Sequence, residues 1–402
     1  MSNHRIMPLF FSMPTRKIFL LVKKVLVVMA LLLQVKNFSQ VKFPADKNAS
    51  VKTVALYRSL FTLLNKGILF GHEDDLAYGM GWEYENGRSD VKAITGDYPA
   101  VYGFDLGHIE LNSLYNLDSV PFERMKQYIQ TIYQKGGVIT ISWHANNPFN
   151  GKSAWNIHSN TVSSILPGGN NHQLYKQWLH SVAVFFKSLK TTSSEQIPIL
   201  FRPYHECTGN WFWWGSMACS DEEFKQLWQF TFQYLTNEEQ VHNLLWVYNT
   251  ADFNSAKEFA QRYPGNEYVD IVSFDAYQDG PPKSSKKEFI KYTKEKLSIL
   301  TNFAKTSYKI PALAEVGYER IRDETWWTNT LYETIKDFQL SYILLWRNGG
   351  LKKSENTPWQ FEPSDSYFTP TSTNISAYDF KQFKNLDKII FQQKLTLQHI
   401  YQ

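Results

Sequence analysis

The chain has 402 residues, of which 43% are apolar and only 20 are glycine, a balance that excludes a disordered or collagen-like polymer and fits one large or two ordinary globular domains. Its net charge of +4 misleads, because residues 1–40 hold six bases (Arg5, Arg16, Lys17, Lys23, Lys24, Lys36) and no acid, leaving −2 for the rest. A nearly neutral body gives no reason to expect a nucleic-acid partner.

In chain order, the first feature is a basic stretch that runs into the uncharged segment VLVVMALLL at 25–33. Such a run is too short for a bilayer, which needs about 20 residues, but it suits the apolar centre of a secretory signal. Residues 1–40 are therefore expected to be a signal peptide cut near Ser39–Gln40, with no membrane span after its removal. No cysteine follows the apolar run, which argues against a lipid anchor. A secreted or periplasmic location follows, with residues 45–402 as a single domain.

That domain alternates short β-branched or aromatic runs with amphipathic stretches. The runs are GILFGH (67–72), AVYGFD (100–105), GVITISWH (137–144), PILFRPYHE (198–206), NLLWVYN (243–249), VDIVSFDAY (269–277), PALAEVG (311–317) and SYILLWRN (341–348). Helical spacing of Phe122, Met125, Ile129 and Ile132 predicts a helix over 121–136 stopped by Gly136, and DEEFKQLWQFTFQYL at 221–235 predicts another, capped by Ser220 or Asp221. Eight such strands predict an α/β chain closed into a (β/α)8 barrel, with an open doubly wound sheet as the alternative. No G-x-G-x-x-G or P-loop pattern is present, so no nucleotide cofactor is expected. Cys207 and Cys219 lack zinc-ligand spacing; a disulfide and two buried thiols are equally compatible with the sequence. GHEDD at 71–75 reads as a polar loop rather than a metal site.

A barrel places chemistry at the C-terminal ends of its strands. His72, Asp105, His144, His205, Glu206, Asn249, Asp275, Tyr277, Glu315, Trp346 and Arg347 all gather there. Glu206 closes the fourth strand and Glu315 the seventh, positions that face one another across a barrel. Two carboxylates flanking a bond are what glycoside hydrolysis requires: one neutral to protonate the leaving oxygen, one ionised to attack. Alternation puts Arg202, Tyr204 and Glu206 on one strand face, so Arg202 can reach inward to support Glu315 together with Tyr277. The run Trp211-Phe212-Trp213-Trp214 beside Glu206 suits the apolar face of a sugar ring, with Phe212 and one of Trp213 or Trp214 left for the core.

RPYHECTGNWFWWG, with the glutamate of ALAEVG and the Trp-Arg of LLWRN, resembles glycoside hydrolase family 26; GHEDDLAYGMGW, SWHANNP and SFDAY are similar to further motifs of that family. The resemblance implies a retaining (β/α)8 enzyme, most often an endo-acting β-1,4-mannanase. Glu206 then resembles the acid/base and Glu315 the nucleophile. His205 and Tyr277 resemble residues that orient substrate and nucleophile, and His144 one that lines the site. Trp346 resembles the floor at the cleavage point, Trp211 and Trp155 leaving-group platforms, and Arg347 a clamp on the non-reducing side. Cys207 and Val316 depart from the family pattern at the positions following each glutamate. The expected partner is a β-mannan polysaccharide, bound by a monomer with no cofactor or metal. The alternatives are a β-1,3/1,4-glucanase or β-1,3-xylanase of the same family, an exo-acting mannobiose-releasing mannanase, and a non-catalytic polysaccharide-binding protein. The insertion at 146–173 is a candidate wall for the cleft.

Overall fold

The computed structural model describes residues 43–353 and 361–402, so the expected signal peptide at 1–40 lies outside the described residues. Among the described residues eight parallel strands build the barrel: β1 (Ile68–Glu73), β2 (Val101–Asp105), β3 (Val138–Trp143), β4 (Ile199–Pro203), β5 (Leu244–Thr250), β6 (Ile271–Tyr277), β7 (Ile310–Gly317) and β8 (Tyr342–Leu345); a short ninth, Ile389–Ile390, adds in parallel to β1. Each of the eight pairs with its sequence neighbour, and β8 pairs back onto β1 from Leu69↔Tyr342 to His72↔Leu345, which closes the barrel. All eight expected strands are present, within a few residues of their expected bounds, and the open-sheet alternative is excluded by the closure.

Side-chain alternation divides the core in two. Leu69, Val101, Val138, Leu200, Leu245, Ile271, Ala312 and Leu344 share one buried cluster with Leu56, Tyr57, Leu60 and Leu63 of the helix Val51–Leu63. Phe70, Tyr102, Ile141, Phe201 and Trp246 face outward and pack on Met125, Ile129, Leu179 and Trp228 of the surrounding helices. The helix Phe122–Gln134 buries Phe122, Met125, Ile129 and Ile132, the stripe read from its sequence, and Gly136 beyond it has φ +76°. Asp221–Gln233 is capped by Ser220, whose hydroxyl accepts from the Glu223 N–H while Glu223 reaches back to Ser220, a reciprocal capping box.

Gly103 in β2 leaves room for the inward Glu73: a Cβ there would lie 1.6 Å from Glu73 Oε2, so any larger residue would force that carboxyl to move. Residues Phe43–Gln402 form one compact unit, and no helix among the described residues is long and apolar enough to cross a membrane.

Candidate active site

Alternation carries Glu73, Asp105, Arg202, Asn249, Asp275 and Tyr277 to the inner mouth of the barrel, since each continues the inward set of its strand. Glu315 does not reach the mouth that way. Ala312 and Ala314 already occupy the inward set of β7, and strict alternation would turn Glu315 toward the helices. The pairing of β6 with β7 slips here, from Phe274↔Leu313 to Asp275↔Glu315. Pairing with β8 slips at the same place, between Ile343↔Leu313 and Leu345↔Val316. Ala314 is thus the extra residue of a β-bulge, and the bulge redirects Glu315 inward.

The fourth strand departs from expectation as well. Alternation places Tyr204 beside Arg202, but β4 ends at Pro203, and Tyr204 and Glu206 take φ +50° and +51°. Left-handed backbone at non-glycine residues is strained and needs support from its surroundings. Tyr204 therefore points into the outer layer, where its hydroxyl bonds Thr231 Oγ1 at 2.7 Å and also meets the Tyr175 hydroxyl. The Glu206 N–H donates to Asn249 Oδ1 at 2.6 Å. The loop that follows is held by a buried cation rather than a disulfide. Cys207 and Cys219 are free buried thiols, and Arg262 donates to the carbonyls of Cys207 (3.0 Å), Trp214 (2.9 Å) and Cys219 and to Asp221 (2.9 Å).

These devices bring three carboxylates together: one oxygen from each of Glu206, Asp275 and Glu315 lies within 4.8 Å of the other two. Arg202 sits between two of them, donating to Glu315 Oε1 at 2.5 Å and to Asp275 Oδ2 at 3.1 Å. Tyr277 donates to Glu315 Oε2 at 2.5 Å, so each oxygen of Glu315 has a donor. Burial and the charge on Glu315 push the Tyr277 phenol well above its ordinary range, which keeps it a donor. Burial opposes charge on Arg202 too, but Glu315 and Asp275 outweigh it and raise its pKa. Glu206 has different company. Burial and then the charge on Glu315 push its carboxyl up to about 7, against the pull of the Trp211 indole, Arg202 and His144. Trp211 Nε1 donates to Glu206 Oε2 at 2.6 Å. Replacing Arg202 by Met would leave Glu315 and Asp275 buried without their shared cation; we expect a loss of about 3–5 kcal/mol in chemical denaturation at pH 7.

A histidine pair lines one flank. His144 Nδ1 meets Asp105 Oδ2 at 2.8 Å. Burial disfavours its charge, but Asp105 overrides that and raises its pKa. Burial likewise opposes ionisation of Asp105, yet His144 and hydrogen bonds from Ser142 and Gly107 bring it down to about 2. His205 stands 4.4 Å from His144, ring to ring; burial, His144 and Arg202 drive its pKa far down, so it is neutral.

The aromatic residues separate by role. Trp155 is 50% exposed and stacks on His144 at 5.1 Å, and Trp211 is 39% exposed beside Glu206. Phe212, Trp213 and Trp214 are all buried, so both of the last two indoles belong to the core where one was expected. Trp346 lies half-buried, 6.4 Å from the His144 ring. Arg347 pairs with Asp118 at 2.8 Å and lies over the Tyr78 ring at 5.9 Å. His72 faces outward and bonds Asp75 (2.8 Å) and Thr369 (3.2 Å), which takes it out of the cleft. The sequence left Asp105, Asn249 and Asp275 without roles, although their place on the inward set of each strand was the available signal.

The model of glycosyl hydrolase family 26 matches residues 45–344. A mannan endo-1,4-beta-mannosidase of Bifidobacterium adolescentis is 28% identical over 371 residues, 87% of this chain; the chain spans only 35% of that relative's length. A GH26 beta-mannanase structure from Bacteroides ovatus is 41% identical, with a TM-score of 0.79 over 86% of this chain and 96% of its own. A GH26C structure from a Muricauda species is 31% identical, with a TM-score of 0.77 over 88% and 96%. With the barrel, the facing carboxylates and three quarters of the chain matched by one model, the chain belongs to glycosyl hydrolase family 26.

Proposed function

We propose that the protein is a retaining, endo-acting β-1,4-mannanase that cuts mannan-type polysaccharide by double displacement. The observation that carries this reading is the approach of Glu206 and Glu315 to within 4.8 Å. Retaining glycosidases hold their carboxyl groups about 5–5.5 Å apart, whereas inverting ones need about 6.5–9.5 Å to admit a water. The two environments also differ in the required sense. Glu315 is gripped by a cation and a phenol, as a nucleophile must be when ionised. The raised Glu206 carboxyl keeps its proton up to about pH 7, as a general acid must. Mannanase as the activity rests on the likeness to the Bifidobacterium mannan endo-1,4-beta-mannosidase and the Bacteroides GH26 beta-mannanase.

In the first step Glu315 attacks the anomeric carbon while Glu206 gives its proton to the leaving oxygen. In the second, Glu206, now a base, takes a proton from water, which displaces Glu315. Arg202 and Tyr277 hold the Glu315 carboxylate in line, with Asp275 fixing Arg202. Trp346 carries the sugar at the cleavage point. His144 and neutral His205 supply hydrogen bonds to it. Arg347, steadied by Asp118, grasps the non-reducing side. Trp155 and Trp211 form leaving-group platforms. We further propose export through the signal at 1–40, action outside the cytoplasm as a monomer, and no cofactor.

The test is a panel of linear mannan, galactomannan, mixed-linkage β-glucan and β-1,3-xylan, with product sizes and anomeric configuration read by proton NMR. The expected result is a rapid fall in mannan viscosity, mixed oligosaccharides and β-configured product. Release of mannobiose alone would mark exo action. Cleavage of glucan or xylan in preference to mannan would identify those substrates, and tight binding without release would leave a non-catalytic protein. Trp211→Phe removes the indole N–H that stabilises ionised Glu206. The alkaline limb of kcat/KM should therefore move to higher pH; a shift to lower pH, or none, would contradict the assigned hydrogen bond.

A further inference from the structure

The turn that carries Glu206 is fastened to the end of β5 by contacts that lie beyond the sheet ladder. The pairing of β4 with β5 runs from Ile199↔Leu244 to Phe201↔Trp246 and stops there. Past that point the Glu206 N–H donates to Asn249 Oδ1 at 2.6 Å, and the Cys207 N–H donates to the Asn249 carbonyl at 3.2 Å. Thr208 Oγ1 donates to the Asp252 carbonyl and accepts from the Ala251 N–H, both at 3.0 Å. Asn249 thus holds two successive N–H groups of the turn. Glu206 within it has left-handed backbone, which persists only where its surroundings support it.

The other end of the Asn249 amide is equally engaged. Its Nδ2 donates to Asp275 Oδ1 at 2.8 Å and to Ser273 Oγ at 3.0 Å, and that hydroxyl donates in turn to the Tyr248 carbonyl at 3.0 Å. Turning the amide over would set its oxygen against the Asp275 carboxylate and its N–H groups against the Glu206 N–H, so a single orientation is tolerated. Asp275 carries the contact on through Oδ2 to Arg202, and Arg202 carries it to Glu315 Oε1. An unbroken hydrogen-bonded row therefore joins the backbone of one glutamate to the carboxylate of the other. Asn249 is the member of that row that touches the Glu206 turn.

We infer that Asn249 is a positioning residue for the general acid, setting where the Glu206 carboxyl stands relative to Glu315 and to the leaving oxygen. The inference rests on the double-displacement reading of the two glutamates. Asn249 is 0% exposed, so it touches no substrate and acts through Glu206. Proton donation depends on the placement of the acid, and an error of about 1 Å can lower a rate about a hundredfold. A plain stabilising contact would behave differently. Its loss would reduce the amount of folded enzyme without choosing between substrates.

The experiment measures kcat/KM of wild type, Asn249→Ala and Asn249→Asp on two substrates: mannopentaose, whose leaving sugar needs a proton, and a dinitrophenyl β-mannobioside, whose leaving group needs none. The readout is the ratio of the first to the second, in which any loss of folded protein cancels. Asn249→Ala frees the Glu206 turn, and its ratio should fall about tenfold or more. Asn249→Asp keeps an acceptor for the Glu206 N–H, and repulsion between adjoining carboxylates leaves one proton between the new carboxyl and Asp275. Because the bridge survives, its ratio should stay within about threefold of wild type. Should Asn249→Ala give no soluble protein, Asn249→Ser, too short to reach Glu206, takes its place with the same expected fall. A ratio within about twofold of wild type in the variant lacking the amide overturns the inference, and so does an equal fall in Asn249→Asp. Wild type inactive on both substrates would sink the mannanase reading itself, a result separable from any change in the ratio.

Discussion

Under the proposed mechanism, Glu315→Ala should lower turnover of mannan on the order of 10⁵-fold while changing substrate affinity only a few-fold, because it would remove the atom that forms the covalent intermediate. Part of that loss should be recoverable. Azide is a small anion that fits where the carboxylate was, and it can attack from the same side. With an activated aryl mannoside it should restore turnover and give a glycosyl azide of inverted configuration, since only one displacement takes place. The grip on Glu315 makes this variant informative. Arg202 and Tyr277 would be left facing the new space with their donors free, a ready site for an anion. Activity of Glu315→Ala near wild type would end the assignment. An azide product of retained configuration would transfer the nucleophile's role elsewhere.

The barrel was legible in the sequence because its strands are buried on both faces and appear as runs such as VITISW and ILFRP, separated by helix-like spacing. Glu206 and Glu315 were legible for a simpler reason: each closes a strand-like run of sequence, and barrel strands lead to the site. The conformations that aim them were not. Alternation predicts the wrong face for Glu315, and only the bulge at Ala314 corrects it. A bulge is a property of how three strands register against one another, and no local pattern in PALAEVG announces it. The same holds for Tyr204 and Glu206, whose left-handed backbone depends on Asn249 from β5, Thr231 from a helix and Tyr175 from another. Arg262 was missed because it lies more than forty positions from the loop it secures. What escaped the sequence was in each case a contact between segments distant in the chain, whereas composition and periodicity report on one segment at a time.

Replacing Glu206 by Ala should separate substrates by leaving group. Mannan, whose leaving alkoxide needs a proton, should lose about 10³-fold in kcat/KM, within the usual contribution of a general acid. A dinitrophenyl mannoside needs none, so its first step should be nearly unaffected, and the glycosyl-enzyme should accumulate because the base for the second step is gone. Azide here attacks the intermediate and should give retained configuration, the opposite of the Glu315 variant. The pH profile supplies an independent check. Wild-type kcat/KM on mannan should fall above pH about 7, as the raised Glu206 carboxyl loses its proton. In Glu206→Ala that limb should vanish from the residual activity on mannan; a limb that persists unchanged would assign the titration to another group. Linkage fixes the sign of a third effect. A carboxyl whose folded pKa lies above its unfolded one binds its proton more tightly in the native state, so its contribution to stability is present at low pH and is lost as pH rises through about 7. Glu206→Gln removes a group that opposes folding once ionised, and its thermal midpoint at pH 8 should exceed that of wild type. A lower midpoint would mean that Glu206 is stabilised as an anion, and that the proton needed by the leaving sugar comes from elsewhere.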